Sequence, residues 1–493
     1  MDGIAATSEY DYLVVGAGII GCAIARELAR SPVRIGVVEQ AWDVGEGASK
    51  ANSSILHTGF DAKPGTREAR LVVEGWWLWQ QEAPDLGVPI LQTGAVMLAL
   101  DAEQARELEH WRHNALANGV TDVELLSREQ VLALAPAANP AVVRGLLVPR
   151  ESVTCTFTAT IALAEQAAVN GATFLFGCRV TGIDRDPSGR YRVLTDRGPI
   201  TTRWLVNAAG LWADEVAHWA GVEGLVLTPR KGEFLVLDKS ARAKAPLIHL
   251  PVPTPVSKGI LVVPTANGNV LLGPTADDTD DKGDLSVTAS GLQRARSGAL
   301  RLAPALADEP VIATYAGLRP ASPVGDYVLE IDPQARLVLA AGIRSTGLSS
   351  ALAVAREVVR GLSEAGEPLG SSESPLRPRP RRSWAPGLPR PCTQPELVSA
   401  DPSYGRVLCL CELVSEGEIR EALRAPIPAT TLDAVKKRTW ATAGRCQGFY
   451  CTAAVLQLMS RELRVPLTGL TKSGAGSPLC GPPAEPRGRP AHG

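Results

Sequence analysis

A glycine-rich turn between a predicted strand and a predicted helix is the feature that most constrains the fold of this 493-residue chain. The apolar run 12–15 predicts a strand, GAGIIG follows at 16–21, and apolar residues at helical spacing continue to residue 29. A second apolar run at 34–38 predicts the next strand. A G-x-G-x-x-G motif in this β-α-β setting is typical of a domain that binds a dinucleotide.

The three glycines of the motif have separate roles in such a site. Gly16 permits the tight turn, Gly18 lets the backbone approach a pyrophosphate, and Gly21 allows the helix to pack closely on the strand. Glu39 ends the second strand, 18 residues after Gly21, where its carboxylate can accept hydrogen bonds from both ribose hydroxyls. We therefore predict a Rossmann-like domain whose dinucleotide carries no 2′-phosphate.

Two later turns favour FAD over NAD as that dinucleotide. A predicted strand in 204–210 runs into Ala209 and Gly210, which let a second backbone segment approach the same ligand. A third turn contains Gly342 and Gly347, before a helix predicted to begin at Leu348. That helix N-terminus would face the flavin pyrimidine, which is negatively charged when reduced. The alternative is that both are ordinary strand-to-helix turns.

The overall composition excludes several classes of function. The net charge is −2, which gives no electrostatic case for nucleic-acid binding. No apolar run approaches the roughly 20 residues that span a bilayer, and the N-terminus lacks the pattern of a secretory signal. Nine cysteines, an odd number, argue against a disulfide framework. We expect a cytoplasmic protein, with peripheral association at the inner face of the membrane left open.

The periodic segments predict an α/β plus α+β body, which ends near residue 366. A Pro- and Arg-rich stretch then predicts an extended linker over 367–404, and order returns over 405–465. The sequence from 466 to 493 is predicted to be a disordered tail. Helices are predicted at 101–118, 154–170, 415–424, 431–440 and 451–463, and strands at 93–100, 172–176, 191–195, 204–207, 232–237, 260–263, 269–272 and 336–341.

Four cysteines in the ordered C-terminal segment have the spacing of a metal-binding set. One residue separates Cys409 from Cys411, four separate Cys446 from Cys451, and 34 lie between the two pairs. Four thiolates are the usual ligand set for an iron–sulfur cluster, although tetrahedral zinc takes the same ligands.

The segment 46–60, EGASKANSSILHTGF, resembles the flavin loop of the D-amino-acid-oxidase-like FAD oxidoreductases, and within them the anaerobic-type glycerol-3-phosphate dehydrogenases. The segments 316–330 and 341–350 resemble that family's C-terminal FAD segments. The resemblance implies FAD contacts from the loop residues Ser49, Asn52 and Ser53, and a place beside the adenine for Val180. It also implies a Rossmann-like FAD-binding domain interleaved with an antiparallel-sheet substrate domain. The FAD segments are expected at about 10–85, 150–215 and 311–366, and the substrate domain at about 86–149 and 216–310.

The implied chemistry is oxidation of a C–H bond that bears a hydroxyl or an amine, which needs a base and cations for an anionic substrate. His57, in the flavin loop, is the candidate base, although a structural histidine is the alternative. Arg319 and Arg344 flank the third flavin segment and are candidates for substrate or flavin binding, against structural ion pairs. Lys258 is a further candidate for binding the anionic group.

The C-terminal segment resembles the bacterioferritin-associated-ferredoxin-like domain, a small helical iron–sulfur domain that binds [2Fe–2S]. The resemblance implies a dehydrogenase that oxidises a small anionic substrate and passes electrons through the cluster to an acceptor protein or a quinone-linked subunit. Glycerol 3-phosphate is the expected substrate. The alternatives are a 2-hydroxy acid such as L-2-hydroxyglutarate, an amino acid, or an electron-transfer flavoprotein that has no small substrate of its own.

Overall fold

The computed structural model describes residues 8–253, 259–369 and 374–481. These residues form two compact units. One comprises residues 8–40, 44–253, 259–369, 374–381 and 385–388, and the other comprises 41–43, 382–384 and 389–481. The predicted fold class is confirmed, because the first unit is built on a mixed parallel sheet and a mainly antiparallel sheet and the second is small and helical.

The α-helices of the described residues alternate with strands through most of the first unit. They are α1 Ile19–Leu28, α2 Arg67–Leu86, α3 Ala102–Ala117, α4 Arg128–Leu134, α5 Thr156–Val169, α6 Ala213–Trp219, α7 Ala289–Leu302, α8 Gly347–Glu364, α9 Pro395–Ala400, α10 Glu416–Leu423, α11 Leu432–Thr439 and α12 Thr452–Leu463.

The β-strands follow the same chain order. They are β1 Ser8–Val15, β2 Ile35–Glu39, β3 Ile55–Leu56, β4 Ile90–Leu91, β5 Ala95–Ala99, β6 Glu124–Ser127, β7 Arg144–Val148, β8 Ser152–Thr154, β9 Thr173–Phe176, β10 Val180–Arg185, β11 Tyr191–Thr195, β12 Ile200–Asn207, β13 Thr228–Leu237, β14 Ile248–Pro251, β15 Leu261–Pro264, β16 Val270–Gly273, β17 Asp277–Asp278, β18 Val311–Ala321, β19 Val328–Asp332, β20 Leu337–Ala341, β21 Val407–Cys409 and β22 Val414–Ser415.

The first sheet carries the predicted dinucleotide-binding unit. Its eight strands run in the order β10-β11-β12-β1-β2-β9, with β20 beside β12 and β19 beside β20. The pairs β1–β12, β1–β2, β2–β9 and β12–β20 are parallel. Parallel strands are buried on both faces, which explains the apolar runs at 12–15 in β1 and 35–38 in β2. The predicted β-α-β unit is thus confirmed as β1, α1 and β2.

The second sheet has nine strands and is antiparallel except where β14 pairs with β5. Strands β5 to β7 precede the later strands of the first sheet in the chain, and β13 to β18 follow β12, so the two sheets are interleaved as expected. One boundary differs from the prediction. Strand β18 pairs with β13 along almost its whole length, from Ala321 to Val311, so these residues extend the second sheet although 311–366 was predicted to be an FAD segment.

The second unit packs α10, α11 and α12 around a core that includes Val435, Val455 and Met459. Helix α10 begins with the capping box predicted from Ser415 and Glu418. The unit also includes part of the predicted linker, because helix α9 lies there. It includes part of the predicted tail as well, since Thr471 forms a β-bridge to Pro478. The last twelve residues of that tail lie outside the described residues.

Across the described part of the chain, we find no helix that combines the length and the apolarity needed to cross a membrane.

Candidate functional site

The glycine-rich turn forms a cradle, a space beside the backbone that exists because its three glycines have no Cβ atom. Gly16 adopts a φ of +103°, and a Cβ there would lie 2.6 Å from the carbonyl oxygen of Ala208 at the end of β12. A Cβ on Gly21 would lie 2.0 Å from the carbonyl oxygen of Gly16. A Cβ on Gly18 would meet only Ser49 Oγ, at 3.3 Å. Gly16 and Gly21 are therefore required by the packing of the backbone, whereas Gly18 leaves space for a ligand.

The N-terminus of α1 is open in the way a pyrophosphate site requires. Gly18 provides no side-chain cap and the first turn contains no acidic residue, so the helix dipole is not neutralised there by its own side chains. Ser49 Oγ lies at this end and accepts a hydrogen bond of 2.9 Å from the N–H of Ile19. The carboxylate of Glu39 accepts from the N–H of Ala17 at 2.8 Å, which holds it beside the same turn. These positions fit the phosphate and ribose of FAD.

The flavin loop is held in shape by its own side chains. Asn52 Nδ2 donates to the carbonyls of Ala48 and Ser49, and its Oδ1 accepts from the N–H of Ser54. The carbonyl of Asn52 accepts a 2.8 Å hydrogen bond from the hydroxyl of Tyr315 on β18. Asn52 thus stabilises the conformation of the loop through these hydrogen bonds. Ser53, the next residue, is partly exposed. Contacts of Ser49, Asn52 and Ser53 with FAD remain predictions.

Three segments that the sequence singled out meet at this loop. The backbone N–H of His57 donates a hydrogen bond of 2.8 Å to Ser349 Oγ, near the start of α8. A Cβ on Gly317 of β18 would lie 2.1 Å from the carbonyl oxygen of Ala51, so strand and loop are in close contact. Helix α8 has neither an acidic residue in its first turn nor a side-chain cap, as expected of a helix that faces an electron-rich ring.

The remaining predicted FAD residues lie at the ends of the first sheet's strands. Val180 begins β10, and Ala209 and Gly210 follow the end of β12. Gly342 has a φ of +65° directly after β20, and Gly347 and Leu348 open α8. The carboxyl ends of parallel strands are where such sheets bind ligands, which fits the predicted roles of the residues that follow β12 and β20.

The ring of His57 lies against a carboxylate that the sequence analysis did not single out. His57 Nδ1 is 3.0 Å from Oε2 of Glu151, which is buried. The other oxygen of Glu151 accepts from the N–H and the hydroxyl of Thr58, at 2.6 and 2.8 Å. A histidine held by a carboxylate at Nδ1 can act as a base through Nε2. The two residues lie 94 positions apart, so no local pattern marked Glu151.

The two candidate arginines have different surroundings. Arg319 donates to the carbonyl of Thr275 at 2.6 Å, and no carboxylate among the described residues pairs with it within ion-pair distance. Burial, together with the charge of neighbouring Arg230, lowers the pKa of Arg319 to about 10. Arg344 instead forms an ion pair with Glu68 at 2.9 Å. The environment of Arg319 thus suits an anionic ligand, whereas the charge of Arg344 is already paired within the protein. The third candidate cation, Lys258, lies outside the described residues.

The four predicted ligand cysteines lie in the second unit as two close pairs. Cys409 and Cys451 lie within hydrogen-bond reach of each other, and the contact with the Cys451 thiol holds the pKa of Cys409 below its ordinary value. Cys411 and Cys446 share a second hydrogen bond. Cys409 and Cys451 are buried, whereas Cys411 is exposed. The four sulfurs form two pairs. Among the described residues, no three His, Cys, Asp or Glu side chains are grouped closely enough to hold a single metal ion.

Backbone N–H groups point at these sulfurs from several sides. The N–H of Thr442 donates to Cys409 and Cys451, and the N–H groups of Tyr450 and Gly448 donate to Cys446. Such donors offset the negative charge of a bound cluster. The loops that aim them are conformationally strained, because four non-glycine residues beside the cysteines have a positive φ: Leu413, Trp440, Thr442 and Gln447.

The donor set therefore fits a [2Fe–2S] centre at the four cysteines, and the first unit fits FAD. Together they define the class of protein as a flavin-dependent oxidoreductase with a separate cysteine-ligand module. The chain belongs to the FAD dependent oxidoreductase family (DAO), whose model matches residues 11–360, and the BFD-like [2Fe-2S] binding domain matches residues 407–461.

Individual relatives agree with this assignment. Glycerol 3-phosphate dehydrogenase of Caloramator mitchellensis is 34% identical over 474 residues, which cover 95% of this chain and 97% of the relative. Glycerol 3-phosphate oxidase of Mycoplasma pneumoniae is 30% identical over 361 residues, 71% of this chain and 94% of the relative. The FAD-bound structure of the L-alpha-glycerophosphate oxidase from Mycoplasma pneumoniae superposes with a TM-score of 0.68 at 29% identity, over 72% of this chain and 95% of that one. The chain is an FAD-dependent oxidoreductase similar to glycerol-3-phosphate dehydrogenase.

Proposed function

We propose that the protein is a dehydrogenase that oxidises glycerol 3-phosphate to dihydroxyacetone phosphate and exports the electrons through a [2Fe–2S] cluster. The observation that carries the substrate class is Arg319, a largely buried guanidinium with no ion-pair partner among the carboxylates of the described residues. A buried cation without a paired anion is costly, and a phosphate or carboxylate ligand would offset that cost. The similarity to a glycerol 3-phosphate dehydrogenase along 95% of the chain favours the phosphate.

Bound at the glycine cradle, FAD would supply the hydride acceptor, and a cluster at the cysteines would supply one-electron transfer onward. Gly16, Gly18, Glu39 and Ser49 would hold the dinucleotide. The four cysteines named above would hold the cluster.

His57 would remove the hydroxyl proton of the substrate. Its ring contacts Glu151 at Nδ1, and its backbone N–H donates to Ser349 of α8, so contacts on two sides hold the residue in place. A base that takes the O–H proton makes it easier for the carbon to release hydride, because negative charge develops on the oxygen. Arg319 would orient the phosphate so that the reacting carbon faces this base.

The cysteine module supports a protein acceptor in place of dioxygen. The Mycoplasma pneumoniae relative, named as an oxidase, aligns over 94% of its own length with only 71% of this chain, whereas the Caloramator dehydrogenase extends over 95%. Cys411 is exposed, so a partner could approach a cluster bound there. The acceptor is proposed to be an electron-transfer protein or a quinone-linked subunit, reached from the cytoplasm.

The experiment that tests the substrate is an anaerobic titration of the FAD-loaded protein. We expect sn-glycerol 3-phosphate to bleach the flavin absorbance, and glycerol to be far less effective because it lacks the anionic group. Bleaching by L-2-hydroxyglutarate or by glycine, with no response to glycerol 3-phosphate, would overturn the assignment in favour of a hydroxy acid or amino acid dehydrogenase. Reduction by a partner protein alone would favour an electron-transfer flavoprotein.

Metal and sulfide analysis tests the cluster independently. Protein purified without air is expected to contain two irons and two acid-labile sulfides per chain, as [2Fe–2S] stoichiometry requires. Zinc without sulfide would refute the electron relay.

A further inference from the structure

Glu151 is placed beside His57 by the pairing of two short strands. Strand β3 ends at Leu56, β8 begins at Ser152, and these two residues pair directly. The residue after β3 and the residue before β8 therefore lie next to each other, on the rim of a small sheet whose register is fixed. The proximity of Glu151 and His57 is thus a consequence of the fold.

The contacts of Glu151 use its two oxygens for different purposes. Oε1 accepts two hydrogen bonds from Thr58, one from the N–H and one from the hydroxyl, and Oε2 faces His57 Nδ1. The side chain is 1% exposed, and no Lys or Arg of the described residues pairs with it. An ionised carboxylate only accepts hydrogen bonds, so the ring nitrogen that faces Oε2 must carry a proton.

Resting on the function proposed above, we propose that Glu151 is a positioning residue that sets the tautomer of His57. It holds the proton on Nδ1, which makes Nε2 the nitrogen that takes the hydroxyl proton of the substrate. In that step the O–H bond breaks, the proton moves to Nε2 and the C–O double bond forms, while a bound oxidised flavin would take the hydride that leaves the carbon. The carboxylate then faces an imidazolium and stabilises its charge.

The substitution Glu151→Gln separates this role from a purely structural one. The N–H of Thr58 can only donate, so the amide oxygen of glutamine must remain on the Thr58 side. The amide NH₂ then faces His57 Nδ1 and donates to it. The ring is forced into the opposite tautomer, with the proton on Nε2, and can no longer accept the substrate proton. The shape of the site is nearly unchanged.

Two further variants serve as controls. Glu151→Asp keeps an acceptor-only group, so it is expected to keep the wild-type tautomer and part of the rate. Thr58→Val removes one hydrogen bond to Glu151 but leaves its contact with the ring, so the rate is expected to stay close to that of the wild type. If Glu151 served only to hold the loop, Thr58→Val and Glu151→Gln would impair the protein in the same way.

The test uses the FAD-loaded full chain and two readouts. Nitrogen-15 NMR of labelled histidines, of which the chain has six, reports the tautomer, and the signal that disappears in His57→Asn is assigned to His57. We expect an Nδ1–H ring in the wild type and an Nε2–H ring in Glu151→Gln. Anaerobic stopped-flow reduction by glycerol 3-phosphate is expected to slow by about 10²–10⁴-fold in Glu151→Gln, with little change in substrate affinity.

The outcomes distinguish this inference from the function on which it rests. A wild-type protein that glycerol 3-phosphate does not reduce refutes the proposed substrate, whatever the tautomer. If the wild type is reduced and Glu151→Gln keeps the Nδ1–H ring, or keeps the wild-type rate, the positioning role of Glu151 is overturned.

Discussion

Replacing Arg319 with Met should make the protein no less stable while it weakens substrate binding. The guanidinium is largely buried, and burial is the main cause that lowers its pKa from 12.5 to about 10. That shift corresponds to a folding cost of about 3 kcal/mol for the charged form. The cost is present at any pH below about 10 and is relieved as the pH rises from there toward 12.5.

The Arg319→Met substitution removes the folding cost of the buried charge, but it also removes the hydrogen bond to the carbonyl of Thr275. A carbonyl that loses its partner costs about 1–3 kcal/mol. The free energy of unfolding of Arg319→Met at pH 7 should therefore be unchanged or up to about 2 kcal/mol higher. A charge-assisted hydrogen bond to the phosphate contributes about 1.5–3 kcal/mol, so the dissociation constant for glycerol 3-phosphate should rise about 10- to 100-fold.

The assay combines urea unfolding with anaerobic substrate titration, and Arg192→Met is the matched control. Arg192 lies on β11 of the other sheet and is paired with Asp184 at 2.7 and 2.6 Å on the surface. The control should lose little stability and should keep its substrate affinity. A large loss of stability in Arg319→Met, with unchanged substrate affinity, would refute the anion-site interpretation.

Three further predictions concern packing, pH and the cluster. Gly21→Ala should lower the free energy of unfolding by about 1–3 kcal/mol in urea, whereas Gly47→Ala, where a Cβ meets nothing within 4 Å, should not; equal stabilities would contradict the close packing. Burial lowers the pKa of His249 to about 4, so stability should fall by about 3 kcal/mol as the pH drops from 6.5 to 4, and unfolding curves of His249→Leu should lack this loss. Cys411→Ser should lose iron and sulfide but keep substrate-reducible flavin, while Cys480→Ser keeps both; retention of a full cluster in Cys411→Ser would exclude it as a ligand.

The sequence was most informative where local chemistry alone determines structure. The fingerprint at 16–21 predicted β1, α1 and β2, because tight turns and close helix packing require glycine at fixed spacing. The helices predicted at 431–440 and 451–463 begin and end within one residue of the observed ones. Helix α7, at Ala289–Leu302, was not predicted; its buried face is made of small residues such as Ala295 and Ala299.

The site was harder to predict because its contacts cross long stretches of chain. Arg319 and Arg344 looked equivalent in sequence, and only the fold reveals that Glu68, on α2, pairs with Arg344. Glu151 had no motif at all, since its role depends on the pairing of β3 with β8. Residue types and spacing identified the cofactor segments, but the partners of each charged side chain followed from the tertiary fold.

The most direct test of the central claim is a single anaerobic mixing experiment with glycerol 3-phosphate. The protein, loaded with FAD and cluster, is mixed with the substrate, and flavin absorbance and the electron paramagnetic resonance of the cluster are followed together. We predict that the flavin bleaches first and that the signal of a reduced [2Fe–2S] cluster then appears without any added reductant. A flavin that dithionite reduces but glycerol 3-phosphate does not, or a cluster that stays oxidised after the flavin has bleached, would contradict the account.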